Sequence, residues 1–418
     1  MLAFTFPGQG SQRSGMGRAW VDHPSFELVA EASEIAGRDL ASLVLDAPDE
    51  VLKETANAQL STFLVSLVVL DAVERIGLAP AMCGGHSLGE YTALVASGAV
   101  SFADGIRLVI ERGTAMQVAA SGRVGTMAAI IGMSDEDADA ACQLAETDVW
   151  VANYNAPGQV VISGTPDGIE SAAAHAKTLG ARKILPIPVS GAFHTPLMLP
   201  ARERLRAALQ AVTFHAPEVP VVANVDARVH TDPEEWEGLL SAQLCAPVRW
   251  RHCLETLAGR GASVLVELGP GGVLTGLARR TAPDVRAVAV AVPDDLDKLI
   301  DAVAGPEIWN AHSPVHQGER LYTSERVVVS PTAGVFEPEA GLAPLEHSAL
   351  SQATVLPGHD GGSSPGSMLA VGDRVGTVGT TDIRTPFDGV LVRWLAMRGE
   401  RIGEGQPVAW VRTSGEQR

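Results

Sequence analysis

Gly85-His86-Ser87-Leu88-Gly89 stands between the short apolar stretch Ala81-Met82-Cys83 and a helix-like run from Glu90 to Ala96. A Gly-x-Ser-x-Gly pentapeptide in that setting reads as strand, sharp turn and helix, the arrangement of a nucleophile elbow. Glycines at its ends permit a turn too tight for side chains. The turn then presents the Ser87 hydroxyl to a substrate carbonyl, and the Leu88 N–H points at the oxyanion that would form there. Many such pentapeptides are only loops, so the surrounding sequence has to decide.

Upstream, Leu2-Ala3-Phe4-Thr5-Phe6 reads as a buried strand that runs into the glycine-rich loop Pro7-Gly8-Gln9-Gly10-Ser11-Gln12. Loops that follow strands in α/β folds gather at the strand C-terminal ends, where ligands bind. Without a Gly-Lys-Ser/Thr ending or a G-x-G-x-x-G pattern, this one does not read as a phosphate cradle. Leu60, Phe63, Leu64, Leu67, Val68 and Val73 mark a helix over 57–76, which Gly77 and Pro80 end before the elbow. Downstream, periodicity predicts strands at 126–131, 148–154, 159–163 and 183–188 and helices at 135–145 and 167–179. That order, β-α-β-β-α-β, is the split βαβ of a ferredoxin-like subdomain inserted at about 124–189. The larger α/β core resumes with strands at 220–224, 263–267 and 287–292.

From about residue 305 the composition shifts. A linker is expected over 305–325, and 357–367 is almost wholly Pro, Gly and Ser. Ser330-Pro331-Thr332-Ala333-Gly334-Val335 echoes Thr385-Pro386-Phe387-Asp388-Gly389-Val390, and Gly372-Asp373-Arg374-Val375-Gly376 echoes Gly399-Glu400-Arg401-Ile402-Gly403. Two segments repeated in the same order predict a small all-β domain over 326–413 with approximate two-fold symmetry.

The 418 residues, 46% of them hydrophobic, suffice for a large α/β core and a further module. A net charge of −18 offers no basic surface to nucleic acid or anionic lipid. Cys83, Cys142, Cys245 and Cys253 show neither metal-ligand nor disulfide-framework spacing, and no basic-then-apolar leader is seen, so a cytoplasmic protein without a metal is expected. The richest apolar stretch, 63–73, is short and broken by Ser66 and Asp71, which predicts no membrane span.

An elbow serine needs a base. His194, in Ser190-Gly191-Ala192-Phe193-His194-Thr195-Pro196, follows the last strand of the insertion on a return loop into the main core. Its neutral imidazole can accept the serine proton. Arg112 lies on a helix over 101–119, opened by Ser101 and Asp104, and falls on or beside the apolar face of Ile106, Val109, Ile110 and Met116. A buried guanidinium calls for a carboxylate. That partner is either a protein acid, Glu90 or Glu111 of a neighbouring molecule, or the carboxylate of a substrate. Asn153, Asn155, Pro157 and Gly158 read as a turn joining two strands of the insertion.

Taken together, Phe6-Pro7-Gly8-Gln9-Gly10-Ser11-Gln12, Gly85-His86-Ser87-Leu88-Gly89-Glu90-Tyr91, Arg112-Gly113-x-x-Met116-Gln117, Asn153-Tyr154-Asn155-x-Pro157-Gly158-Gln159, Phe193-His194 and Glu267-Leu268-Gly269-Pro270-Gly271 closely resemble malonyl-CoA:acyl-carrier-protein transacylases over residues 1 to about 300. The resemblance implies an α/β-hydrolase-like core with a ferredoxin-like insertion, a malonyltransferase domain of residues 1–304. It implies that Ser87 is acylated by malonyl-CoA with His194 as base, that Gln9 and the Leu88 N–H form the oxyanion hole, and that Arg112 holds the malonyl carboxylate. A backbone carbonyl near Gln243 then orients His194, and the phosphopantetheine thiol of an acyl carrier protein takes the malonyl group in fatty-acid or polyketide synthesis. Met116, Asn153 and Asn155 come with the matched motifs as supporting residues, and Phe193 is similar to the Ala-Phe-His pattern of malonyl-selecting polyketide synthase domains. A serine hydrolase releasing acyl groups to water, and a scaffold with a vestigial acyltransferase site, are the competing functions.

The segment from Thr385 to Val408 resembles the second half of a biotinyl or lipoyl carrier domain, which attaches its cofactor to a lysine on a hairpin between halves. The corresponding stretch, Gly379-Thr380-Thr381-Asp382, holds no lysine, and none follows Lys298. A degenerate carrier fold without biotin or lipoate is expected, kept for packing or for docking a synthase or carboxylase.

Overall fold

The computed structural model describes residues 1–189, 191–303, 325–342, 344, 367–387, 389–396 and 398–412. The chain divides into two compact units, one of Met1–Glu74 and Leu78–Pro314, the other of Arg75–Gly77 and Val315–Arg418. Nearly all of the expected linker, and all but the last residue of the Pro/Gly/Ser tract, lie outside the described residues.

In the first unit the strands are β1 (Leu2–Phe6), β2 (Met82–Gly85), β3 (Thr126–Ile131), β4 (Val149–Ala156), β5 (Gln159–Gly164), β6 (Lys183–Ile187), β7 (Val221–Val222), β8 (Val229–His230), β9 (Val264–Leu268) and β10 (Arg286–Val290). Six of them form a sheet in the order β10-β9-β1-β2-β7-β8, parallel except for the antiparallel edge strand β8. Apolar side chains leave both faces, as a parallel sheet covered on both sides requires. Phe4, Phe6, Val266 and Leu268 join the larger apolar cluster, while Ala3, Val222 and Leu265 pack with Trp250, Leu254 and Leu257 on the other face. Strand order reverses beside β1. The loops after β1, β2 and β9 therefore meet at one end of the sheet, where ligands enter such folds.

The helix expected over 57–76 runs from Thr55 to Arg75 and is apolar nearly all round. By length and composition it could cross a bilayer, yet 89% of its most apolar window is buried inside the fold, which makes it the core helix of the unit. β7 is shorter than the apolar run 220–224 because the chain leaves the ladder. Ala223 N–H turns to the carbonyl of Arg228, and the Asn224 carbonyl accepts from Arg249.

Between the second and third strands of the main sheet the chain builds a separate antiparallel sheet in the order β4-β5-β3-β6. Helices Asp135–Leu144 and Pro166–Thr178 share an apolar cluster with its Ile130, Val151, Val160 and Ile162. Ser134 and Thr165 cap them, accepting from the N–H groups of Asp137 and Gly168. Asn153 and Asn155 are not in the turn. They belong to β4, and only Pro157-Gly158, with Gly158 at φ 72°, makes the hairpin. The register of β4 slips twice against β5, leaving Ala152 and Asn155 unpaired in the ladder, so bulges rather than turn chemistry explain this segment.

The second unit holds β11 (Glu325–Val329), β12 (Gly334–Pro338), β13 (Met368–Leu369), β14 (Arg374–Val378), β15 (Thr381–Arg384), β16 (Gly389–Trp394), β17 (Arg401–Ile402) and β18 (Pro407–Arg412). They form two sheets, β11-β18-β16-β13 and β15-β14-β12-β17, around Phe336, Val375, Leu391, Val408 and Val411. Exchanging the first four strands for the last four carries one sheet onto the other. The hydrogen bonds repeat as well. Ser330 Oγ donates to the carbonyl of Thr332 at 2.6 Å, and Thr385 Oγ1 donates to that of Phe387 at 2.9 Å. Ser330 N–H meets Gln406 O while Thr385 N–H meets Asp373 O. This supports the first sequence echo and corrects the second. Gly372-Asp373 matches Gly405-Gln406 rather than Gly399-Glu400, for Asp373 and Gln406 each accept from the N–H three residues back.

Candidate active site

The elbow forms as a break between β2 and the helix Gly89–Ala96, with Ser87 at φ 53°. Its glycines serve close approach. A Cβ on Gly85 would lie 1.9 Å from the Gly89 carbonyl carbon, and one on Gly89 would lie 2.0 Å from Phe6 O. Asn224, fully buried, closes the turn by accepting the Ser87 N–H at 2.7 Å and donating to Gly85 O at 2.7 Å. The Leu88 N–H meets no acceptor among the described residues, as an oxyanion donor requires.

His194 reaches the serine from a positive φ of 60°. Its Nε2 lies 2.7 Å from Ser87 Oγ, and its Nδ1 lies 2.8 Å from Gln243 O. A carbonyl only accepts, so Nδ1 carries the proton and the Nε2 lone pair faces the serine hydroxyl. Burial, with the Arg112 cation beside it, holds the imidazole down to about 3 despite the Gln243 bond. The ring is therefore neutral and basic in geometry throughout the physiological range.

Arg112 extends from the helix Phe102–Gly122, which Ser101 caps by accepting from Asp104 N–H. Only 1% exposed, its guanidinium donates from Nη1 to Gln59 Oε1 at 2.6 Å and from Nη2 to Gln243 Oε1 at 2.9 Å and Ser87 Oγ at 3.0 Å. It also lies over the Tyr91 ring, 5.3 Å from the centroid. Within the chain, neither Glu90 nor Glu111 meets it. Glu111 pairs with Arg204, and Glu90 bonds to Gln243 and Asn224 instead. Arg112 Nε is buried without a partner among the described residues. The site thus holds a desolvated cation whose neighbours are amides and a serine, ready for an anion.

Gln9 is half-buried on the loop after β1; that loop abuts the elbow, because a Cβ on Gly8 would lie 2.4 Å from His86 O. Asn155 Oδ1 lies 2.8 Å from Nε2 of His86, so this asparagine fixes the residue before the nucleophile. Asn153 is buried in β4 with no side-chain hydrogen bond to Ser87, His194 or Arg112. Met116 Sδ accepts from Gln59 Nε2 at 3.3 Å, and Phe193 is buried against Gly191. Sequence patterns missed Gln59 and Asn224, and offered Glu90 only as a candidate partner of Arg112 and not of Gln243 and Asn224. Their only signal was a polar residue embedded in an apolar run.

Residues 3–295 match the family model described as acyl transferase domain. The chain is 43% identical over 306 residues to the malonyl CoA-acyl carrier protein transacylase of Escherichia coli (strain K12), covering 72% of this chain and 99% of that one. A crystal structure of an acyl carrier protein S-malonyltransferase from Vibrio cholerae superposes with TM-score 0.69 at 42% identity, over 71% of this chain and 99% of the other. A malonyl-transacylase solved in complex with its type II PKS acyl-carrier protein superposes with TM-score 0.70 at 39% identity, over 72% and 99%. Through residues 3–295 the chain belongs to the acyl transferase domain family, as a member of its malonyl CoA-acyl carrier protein transacylases.

Proposed function

We propose that Ser87, His194 and Arg112 carry malonyl transfer from malonyl-CoA to the phosphopantetheine thiol of an acyl carrier protein in fatty-acid or polyketide synthesis. One observation carries the assignment: Ser87 Oγ lies 2.7 Å from a neutral imidazole nitrogen and 3.0 Å from a buried guanidinium. His194 Nε2 takes the hydroxyl proton as Oγ attacks the thioester carbonyl. The Leu88 N–H and Gln9 receive the oxyanion. Collapse expels the CoA sulfur, which takes the proton back from Nε2, and leaves a malonyl ester on Ser87. The carrier thiol then repeats the sequence in reverse, giving its proton to His194 and displacing Oγ.

Esterification turns Ser87 Oγ from a hydroxyl into a weakly accepting ester oxygen, which loosens the bond that Arg112 Nη2 makes at rest. That N–H and the unpartnered Nε–H form one edge of the guanidinium, suited to a bidentate bond with the malonyl carboxylate. An acyl group without that carboxylate leaves the cation uncompensated. The test is incubation with malonyl-CoA and a phosphopantetheinylated carrier. Malonyl-carrier and a malonyl adduct on Ser87 are expected; free malonate without malonyl-carrier would mean a hydrolase.

The six-stranded sheet is read as an α/β-hydrolase-like core, and its antiparallel insertion, with two helices and β-α-β-β-α-β order, as ferredoxin-like. The malonyltransferase domain is placed at 1–304 and a degenerate biotinyl/lipoyl-like domain at 326–413. The two-fold strand order supports the second assignment, and so does the tight turn Gly379-Thr380 between β14 and β15, where a cofactor lysine would stand. With no lysine after Lys298, amide attachment there is chemically closed. Docking of a synthase or carboxylase, in the cytoplasm, is the role proposed for this unit.

A further inference from the structure

Ser87, Arg112 and His194 come from distant parts of the chain, and each is tied to one fully buried residue, Gln243. Gln243 Oε1 accepts from Arg112 at 2.9 Å, and its backbone carbonyl accepts from His194 at 2.8 Å. Its Nε2 donates to Ser87 O at 2.8 Å and to Glu90 Oε2 at 2.6 Å. The amide orientation is fixed, since arginine only donates and both groups facing Nε2 only accept there. Glu90 Oε2 also accepts the Asn224 N–H at 3.3 Å, and the Asn224 side chain closes the elbow at Ser87 N and Gly85 O. Glu90 and Asn224 are both fully buried.

We propose that Glu90 and Asn224 are positioning residues, Glu90 fixing the Gln243 amide that aims Arg112 and Asn224 fixing the backbone turn that aims Ser87. The proposal rests on Ser87, His194 and Arg112 being the acyl-transfer machinery. Neither residue touches the reacting atoms. Glu90 acts on the anion side of the site and Asn224 on the nucleophile side, and a shared hydrogen bond keeps the two sides in register.

Three features favour positioning over simple packing. The helix Gly89–Ala96 is buried from Gly89 through Val95 and carries no other charged residue, and a buried carboxyl in that setting is costly unless it is used. Its second oxygen, Oε1, has no partner among the described residues, so the group is retained although half its hydrogen-bonding capacity goes unmet there. Burial holds the acid up at about 8, so it is mainly protonated at neutral pH, and the neutral carbonyl oxygen accepts both N–H groups. A glutamine in the same place keeps that acceptor.

Full-length E90Q, E90L, E90D, N224A and S87A proteins would be compared for Ser87 acylation by malonyl-CoA and acetyl-CoA in rapid-quench experiments. Thermal unfolding would be followed in parallel. E90Q should stay within about threefold of the parent, because the acceptor at Oε2 is preserved. E90L should lose about 10- to 100-fold with malonyl-CoA and markedly less with acetyl-CoA, since Arg112 is what it disturbs. E90D, which keeps the acid but shortens its reach, should follow E90L and carries the test if E90L does not fold. N224A should lower both acyl transfers alike by about tenfold or more, because it acts on the nucleophile. Parent-like rates in E90L or E90D overturn the proposal. So does an E90Q loss as large as that of E90L, or a malonyl-to-acetyl ratio that E90L leaves unmoved. S87A keeps the two questions apart: continued transfer by S87A refutes the nucleophile assignment, whereas its inactivity beside a normal E90L refutes only the positioning role.

Discussion

The elbow site and the turns of the C-terminal unit meet opposite demands. Of the four non-glycine residues at positive φ among those described, two are Ser87 and His194. Each such conformation costs about 1–3 kcal/mol and persists only where surroundings impose it. Here the surroundings are hydrogen bonds from far along the chain, Asn224 to Ser87 and Gln243 to His194. In the C-terminal unit the positive φ values fall on glycines, among them Gly372, Gly379 and Gly405, and the turn side chains bond within three residues of themselves. At Ser87 and His194, the proposed chemical site, strain is held by distant contacts, while the turns of the C-terminal unit are satisfied locally. Substitutions in the first region should therefore have large, coupled effects, and those in the second small, separable ones.

The largest effect tests the nucleophile. S87A should abolish the acyl-enzyme and lower kcat by on the order of 10⁴-fold or more, as removal of a serine nucleophile does elsewhere. Intact-mass spectra after malonyl-CoA exposure check it, and a malonyl adduct that persists in S87A would remove the elbow from the mechanism. Next comes the anion partner. R112A should cut kcat/KM for malonyl transfer by about 100-fold or more, the scale of losing one side of a buried pair, and affect acetyl transfer far less. Equal losses for both acyl groups would leave Arg112 a structural cation held by Gln59 and Gln243.

A pH series sharpens the contrast further. With His194 held down to about 3, the acid limb of kcat/KM for Ser87 acylation should show no inflection near 6.5. A break there would indicate a solvated imidazole. Stability carries the matching sign. The folded protein binds fewer protons at His194 than the unfolded chain does between about 3 and 6.5, so the contribution present above 6.5 is lost as pH falls through that window. Glu90 works the other way. Its folded value is raised from 4.5 to about 8, so its contribution is complete below 4.5 and is lost as pH rises toward 8. Urea unfolding midpoints of E90Q should consequently fall less than those of the parent between pH 5 and 8.

Legibility in the sequence followed the same divide. The strands and helices of the insertion could be read to within a residue or two, because their periodicity is local and Ser134 and Thr165 mark helix starts. Ser87, His194 and Arg112 were legible through the elbow, the return loop and the family motifs. Gln59, Asn224 and the actual partners of Glu90 were not. Their contacts span 53 to 153 residues, and no spacing rule reports them. The sequence left the partner of Arg112 open between a protein acid and a substrate carboxylate, because no spacing rule shows that the buried amides of Gln59 and Gln243 take two of its nitrogens while leaving its charge for a ligand. In the C-terminal unit the repeat was visible but its second half was set in the wrong register. Gly372, Gly399 and Gly405 all sit at positive φ, and only the bonds of Asp373 and Gln406 tell which turns correspond.

The smallest expected effect tests that two-fold correspondence. Ser330 and Thr385 are each 1% exposed, and each hydroxyl donates to the carbonyl two residues on while accepting that residue's N–H. Removing either hydroxyl leaves one carbonyl and one N–H short of a partner, a loss of about 1 kcal/mol for a neutral bond. If the halves are energetically as well as topologically equivalent, S330A and T385A should destabilise the unit by similar amounts, and the double variant should show additive loss because the two turns share no partner. Malonyl transfer by the first unit should be unaffected in all three. Hydrogen exchange at the Thr332 and Phe387 amides reads each turn separately. A cost confined to T385A would show that the symmetry is one of chain path only, with one half carrying the fold.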